Sequence, residues 1–217
     1  MQEAWKIQID ALKAAFPEFG MIGRSRQADP EKGEWCPILY RKEKFEVLSE
    51  GTFWLSDTPE KEGTMSWGNN IPRICTWGRF KDKKTGRTFF LYNTHFDHQS
   101  QASREKSAVL CNERIAARKP SNEATIFMGD LNAGESNLAN KTLGKSLRDT
   151  FGELHPKVKL RGTFGGWKGR ADGNRIDYIY VTPKGWKIVE AAILRDHSAD
   201  NRYPSDHYPV NARLILE

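Results

Sequence analysis

Asp206 and His207 stand side by side in RYPSDHYPV, residues 202–210, between a polar turn and the apolar run VNARLIL. Carboxylate oxygens bind hard cations, and an imidazole exchanges a proton near neutral pH. At the mouth of a strand the two could hold a metal ion and move a proton; an ordinary polar loop carries the same letters. NTHFDHQ, 93–99, follows another apolar run. In an extended chain Asn93, His95 and Asp97 share one face, and Thr94, Phe96 and His98 share the other. That spacing can aim His95 and its neighbours at one site, although the polar end of a sheet strand reads the same way. GDLN, 129–132, ends the run ATIFM at a glycine. Asp130 and Asn132 then point one way and Leu131 points to the core. A carboxylate and an amide two residues apart can orient a water and bind a hard cation. An Asx turn is the plainer alternative.

RIDYI, 175–179, sets an acid among apolar neighbours. Ile176 and Tyr178 turn to one face and Asp177 to the other. A carboxylate inside a strand is costly unless it has a partner. His207 is the candidate, because a carboxylate orients an imidazole and raises its basicity, as in catalytic triads. Glu3, in MQEAW, stands where the dipole of the first helix favours an acid on its own account.

The elements that must position these groups follow from periodicity. Ala4, Ile7, Leu12, Ala15 and Phe16 fall on one helical face, and Pro17 stops the run. CPILYR (36–41), FEVLSEGTFWLS (45–56), ICTWGRF (74–80) and FFLYNTHF (89–96) read as strands, the last two joined as a hairpin by DKKTGR. Residues 101–118 read as a helix with Ala108, Cys111 and Ile115 inward. ATIFM is a buried strand, 137–155 hold short helices, and RIDYIYV, WKIVEAAIL and VNARLIL close the chain as strands. No repeat, linker or boundary interrupts residues 1–217, so the expectation is a single domain of sheets packed together with helices outside.

Composition bounds the rest. The chain has 217 residues, 38% of them hydrophobic and seven of them Trp, enough for a substantial core. No run approaches the roughly 18 apolar residues of a membrane span. A net charge of +6 favours anionic partners, nucleic acid among them, and equally serves as solubilising charge. Cys36, Cys75 and Cys111 form no CxxC pair, so they spell neither a zinc site nor a disulfide framework.

Taken in order, QE, NTHxDH, GDLN, RIDYI and SDHYPV resemble the endonuclease/exonuclease/phosphatase superfamily, a deoxyribonuclease-like group. GEWCPILYRKEKFEVL, FWLSDTP and SWGNNIPRICTW resemble a bacterial branch of it. The resemblance runs from residue 2 to the end of the chain. It implies an α/β fold, a four-layered α-β-β-α sandwich of two mixed or antiparallel sheets with outer helices. It also implies hydrolysis of a phosphate ester assisted by Mg²⁺ or Mn²⁺, of phosphodiesterase or nuclease type. The alternatives are a phosphomonoesterase acting on a lipid or sugar phosphate and a non-catalytic binding relative. By that resemblance Glu3 is the principal metal ligand and Asp206 a second or outer one. Asp130 and Asn132 orient the attacking water and contact metal and phosphate. His207, paired with Asp177, is the general base, and His95 stabilises phosphate oxygens or assists the leaving group. No covalent intermediate is expected.

Lesser candidates for substrate contact are Asn93, Arg73, Phe164 and Trp167; Glu34 in GEWCP is a candidate for the cleft wall. Asn93 and Asp97 are expected to hold the His95 loop together. Phe164 and Trp167 resemble a substrate-facing aromatic loop, with core packing the commoner fate of such rings. The resemblance also implies a preceding strand-helix-strand unit that this sequence, starting at Met1-Gln2-Glu3, does not show, so an N-terminal truncation is expected. A signal peptide lost with that unit would leave a secreted or periplasmic location open. The expected partner is a phosphate ester, nucleic acid included, acted on by a monomer.

Overall fold

Apolar side chains alternate along TFFLYNTH, and the alternation gives the central sheet two buried faces. The computed structural model describes residues 1–217. Its elements are α1 (Lys6–Ala15), β1 (Phe19–Ile22), β2 (Ile38–Arg41), β3 (Phe45–Trp54), β4 (Ile74–Asp82), β5 (Thr88–His95) and α2 (Gln101–Ala117). They continue with β6 (Ala124–Asp130), α3 (Leu138–Leu143), β7 (Arg148–Asp149), α4 (Thr150–Leu154), β8 (Asp177–Val181), β9 (Trp186–Ile193) and β10 (Val210–Leu216).

Six strands form a mixed sheet in the order β3-β4-β5-β6-β8-β7. Only β5 and β6 run parallel. A parallel pair needs a crossover, and α2 supplies it. On one face Phe90, Tyr92, Phe127, Tyr178 and Tyr180 pack against Ala108, Cys111 and Ile115 of α2 and Leu143 of α3. Each such apolar side chain, fully buried, stabilises the fold by about 1.5–3 kcal/mol. The tyrosine tips are satisfied: Tyr178 donates to the Arg175 carbonyl at 2.7 Å and Tyr180 to Asn140 Oδ1 at 3.0 Å. Ser100 caps α2, its side chain accepting from the Ser103 N–H, a contact typically worth about 1 kcal/mol.

On the other face Phe80, Phe89, Ala124 and Val181 meet Ile22 of β1, Ile38 of β2 and Trp186 of β9. Met21, one residue before Ile22, turns the opposite way and packs on the cluster of Ala4, Ile9 and Trp35. Helix α1 therefore lies outside the β1–β2 pair. The layers run helices, six-stranded sheet, second β layer, helix.

The α-β-β-α sandwich is as expected from the sequence, and its second β layer is antiparallel. That layer consists of two separate antiparallel pairs, β1–β2 and β9–β10. A trough of about 480 Å³ opens over β6 and β8, with Gln2, Met128, Ile179 and Val210 among its walls. Strand β1 was not evident in the sequence; four residues, FGMI, are too short to show a period. All three cysteines are buried and free.

Candidate active site

Three strand ends meet at one rim, and register decides which side chains arrive there. His95 pairs with Asp130 across the parallel ladder, and Asp130 pairs with Asp177 across the antiparallel one. Groups far apart in sequence thus become lateral neighbours. Gly129, with φ +156, permits the arrangement, since a Cβ there would sit 2.1 Å from the Thr94 carbonyl oxygen. Past Asp130 the chain turns sharply. Asn132 adopts φ 46, a left-handed conformation that asparagine tolerates, and its N–H donates to Asp130 Oδ1 at 2.8 Å. Leu131 is fully buried in the main core, as its alternation predicts.

The last strand delivers the imidazole by another route. Gly165 and Gly166 donate to the Asp206 carbonyl, and Tyr208 donates to the Thr163 carbonyl. Thr163 Oγ1 in turn accepts from the N–H groups of Ile176 and Asp177. The 163–166 loop therefore ties SDHY to RIDY. His207 Nδ1 lies 2.9 Å from Asp177 Oδ2, and its Nε2 lies 3.8 Å from Asp130 Oδ2. Burial opposes charge on this ring, but the hydrogen bond to Asp177 and the charges of Asp177, Asp130 and Asp206 outweigh it, lifting His207 to about 9.

The carboxylates facing it are short of positive charge. Burial first, then the charge of Asp177, pushes Asp130 well above the ordinary carboxylate range. Burial and the neighbouring Glu34 likewise raise Glu3. Glu3 also sits at φ 58, a conformation rare for its residue type. Ligand atoms of Glu3, His95 and Asp130 lie within 4.8 Å of one another, as do those of Asp130, Asp177 and His207. Hard oxygens that resist ionisation for want of a counter-charge suit a divalent cation. The Asp206 carboxylate lines the same cleft, but it is not part of either cluster.

His95 is neutral: burial, then the charges of Arg73 and Arg26, hold it well below its usual value. Its Nε2 lies 3.0 Å from Asn132 Nδ2, which also donates to the Phe96 carbonyl. In that arrangement His95 accepts and aims the amide; donation to a phosphate oxygen needs the other tautomer. Asp97 holds the loop, accepting from the N–H groups of Gln99 and Ser100. Asn93 does not share that task or face the cleft. Its amide, fully buried, bonds Gln2 and the carbonyls of Met1 and Pro37.

The cleft of about 340 Å³ has a second wall, to which the sequence-named Glu34, Arg73 and Phe164 contribute together with Arg26, His98 and Ile71. Arg73, 3% exposed, lies beside Asp97 at 3.4 Å and donates to His98 Nδ1 at 2.9 Å. Arg26 bonds Glu34 at 2.6 Å. Nothing in the letters SRQ marks Arg26, and His98 was legible only as part of NTHFDH. Phe164 and Trp167 do not take the expected core places, being 49% and 60% exposed. Phe164 stands edge-on to His207, with centroids 5.2 Å apart.

Fold and site define a sandwich scaffold with a carboxylate-imidazole cluster at its rim. Residues 1–207 match the profile of the Endonuclease/Exonuclease/phosphatase family. The chain is 33% identical to mannosyl-6-phosphatase Bt3783 of Bacteroides thetaiotaomicron, covering 99% of this chain and 84% of that one with a TM-score of 0.89. An endonuclease/exonuclease/phosphatase structure from Bacteroides vulgatus is also 33% identical, over 100% and 84% of the two chains, with a TM-score of 0.90. Uncharacterized protein L388 of Acanthamoeba polyphaga mimivirus is 32% identical over 188 residues, 80% of this chain and 67% of that protein. The chain belongs to the Endonuclease/Exonuclease/phosphatase family. Its scaffold is that of a hydrolase, and enzymes of the family generally use divalent metals. No helix is long and apolar enough to cross a membrane.

Proposed function

We propose that this protein hydrolyses a phosphate ester by in-line attack of a water that His207 deprotonates. The observation that carries the reading is the 2.9 Å bond from His207 Nδ1 to Asp177. In the neutral ring the Nδ1 proton is held there, which leaves Nε2 bare and turned toward Asp130, where it can take a proton. Asp130 and Asn132 position the water. The water oxygen bonds phosphorus, the bond from phosphorus to the leaving oxygen breaks, and that oxygen departs with the electron pair and takes up a proton. Glu3 and Asp130, with His95 and Asp206 at hand, would hold Mg²⁺ or Mn²⁺, which when bound supplies neutralising charge to the phosphate oxygens. With a cation held among these carboxylates, His207 would give up its extra proton more readily and could act as a base near neutral pH.

Hydrolysis of p-nitrophenyl and bis-p-nitrophenyl phosphate with Mg²⁺ or Mn²⁺ tests the mechanism. Activity that survives both EDTA and His207→Ala overturns it. For the substrate, the 33% identity to a mannosyl-6-phosphatase across nearly the whole chain favours a sugar phosphomonoester. The net charge of +6 favours the nuclease alternative, but the charge is spread along the chain. Turnover of a hexose 6-phosphate, compared with a plasmid and a single-stranded oligonucleotide, decides between them.

A further inference from the structure

The wall opposite the carboxylates carries two cations, and both are compensated. Arg26 Nη1 donates to Glu34 Oε2 at 2.6 Å, and Arg73 Nε lies 3.4 Å from Asp97 Oδ2. The four groups sum to zero charge. Their hydrogen-bonding capacity is not used up, however. Arg26 Nε and Arg73 Nη1 are buried donors with no partner in the protein. Glu34 keeps a second oxygen, Oε1, that accepts no bond from the protein, and its side chain is 19% exposed in the cleft. Arg26 Nε and Arg73 Nη1 are closed off from solvent, so what a ligand meets in the cleft is Glu34 Oε1 and the exposed parts of the Arg26 and Arg73 guanidinium groups.

Charge balance decides which ligand. A second phosphate or a carboxylate would need net positive charge, and this wall has none. A hydroxyl both donates and accepts. It therefore matches donors and an acceptor set side by side, and several hydroxyls on one ring match several such atoms. Ile71 and the exposed ring of Phe164 line the same cleft and offer apolar surface to the C–H face of a ring. The cleft of about 340 Å³ shares Glu3, Asp130, Asp206 and His207 with the trough of about 480 Å³ beside it, and either has room for a monosaccharide phosphate.

We infer that Arg26, Glu34 and Arg73 form a specificity wall that reads the hydroxyls of a monosaccharide leaving group while the carboxylate side acts on its phosphate. This rests on the phosphoesterase reading for its chemistry but not for its binding. Two arms separate the two. In the first, kcat/KM is measured with mannose 6-phosphate and with p-nitrophenyl phosphate, whose leaving group has no other hydroxyl. Glu34→Gln should lower the ratio of the two at least tenfold, mainly through KM for the sugar phosphate. Arg26→Lys, which keeps the charge and loses the planar fork, should shift it the same way. In the second arm, calorimetry on His207→Ala with Mg²⁺ present should show mannose 6-phosphate binding weakened at least tenfold by added Glu34→Gln, while inorganic phosphate binding does not follow. An unchanged ratio, or sugar phosphate and inorganic phosphate weakening together, overturns the inference. If neither substrate turns over but the binding difference holds, the wall stands and the hydrolytic reading falls.

Discussion

Asp177 Oδ2 accepts the Nδ1 proton of His207 at 2.9 Å. Strand β8 fixes the acid, and the 163–166 loop fixes the ring through backbone bonds on both sides of it. The pair is therefore preorganised, and its effect on acidity has a defined sign. Because Asp177 stabilises the imidazolium, it helps to hold His207 at about 9 despite burial.

Replacing Asp177 with Asn removes that charge and frees the ring to choose its tautomer. We expect kcat to fall by about 10²–10⁴-fold. The limb on which activity rises as His207 loses its proton should move to lower pH. A pH profile of kcat/KM, read for wild type and D177N, checks both. A limb that stays in place belongs to another group.

Without metal, folding stability should decline as pH rises. A group whose value is raised in the fold contributes stability that is full below its unfolded value and lost as pH climbs through the folded one. His207 starts near 6.5 and ends at about 9; Asp130 and Glu3 are raised too, so they act in the same direction. Tm in EDTA should fall between pH 6 and pH 9.5. Asp130→Asn, replacing a poorly solvated anion by an amide, should raise Tm in EDTA at pH 8 by about 2–4 °C. It should also abolish the Tm increase that Mn²⁺ gives the wild type. A Tm lowered by D130N in EDTA contradicts the charge account.

Glu3 is half-exposed in its carboxylate and makes no hydrogen bond that supports the fold, so its loss should be felt by the metal alone. Glu3→Gln should raise the Mn²⁺ concentration for half-maximal activity at least tenfold, with Tm in EDTA unchanged or slightly higher. Titration of activity against Mn²⁺ checks this. An unaltered half-point would assign the metal to other ligands.

How much of this was visible in the letters depends on the range of the force involved. Alternation is local, so Leu131 toward the core and Asp130 on the opposite face could be read from GDLN, and the helix of residues 101–118 from Ala108, Cys111 and Ile115. The motif order carried the family. Register is not local: nothing in RIDYI says that Asp177 will lie beside Asp130, because that pairing is fixed by the whole ladder. Arg26 escaped for the same reason, brought to the cleft by a loop that no period describes. Asn93 misled because alternation places a side chain on a face but not its partners, which here are Gln2, Met1 and Pro37. The split second layer was hidden too, since β1 is four residues long and strand signals do not state which strands pair.

Phe164 offers the sharpest separation of packing from binding. Its ring is half-exposed, yet it meets His207 edge-on at the mouth of the cleft. A ring serving the core would cost about 3–5 kcal/mol on truncation to Ala. An exposed one costs within about 0.5 kcal/mol. Phe164→Ala should therefore leave Tm within about 2 °C while raising KM several-fold, with a smaller change in kcat. Trp167→Ala should share the silent Tm, and its effect on KM should grow with the size of the leaving group. Thermal melts and steady-state kinetics on p-nitrophenyl phosphate and mannose 6-phosphate measure all of these. A Phe164→Ala protein that melts more than about 6 °C lower would return this ring to a packing role and remove it from the cleft mouth.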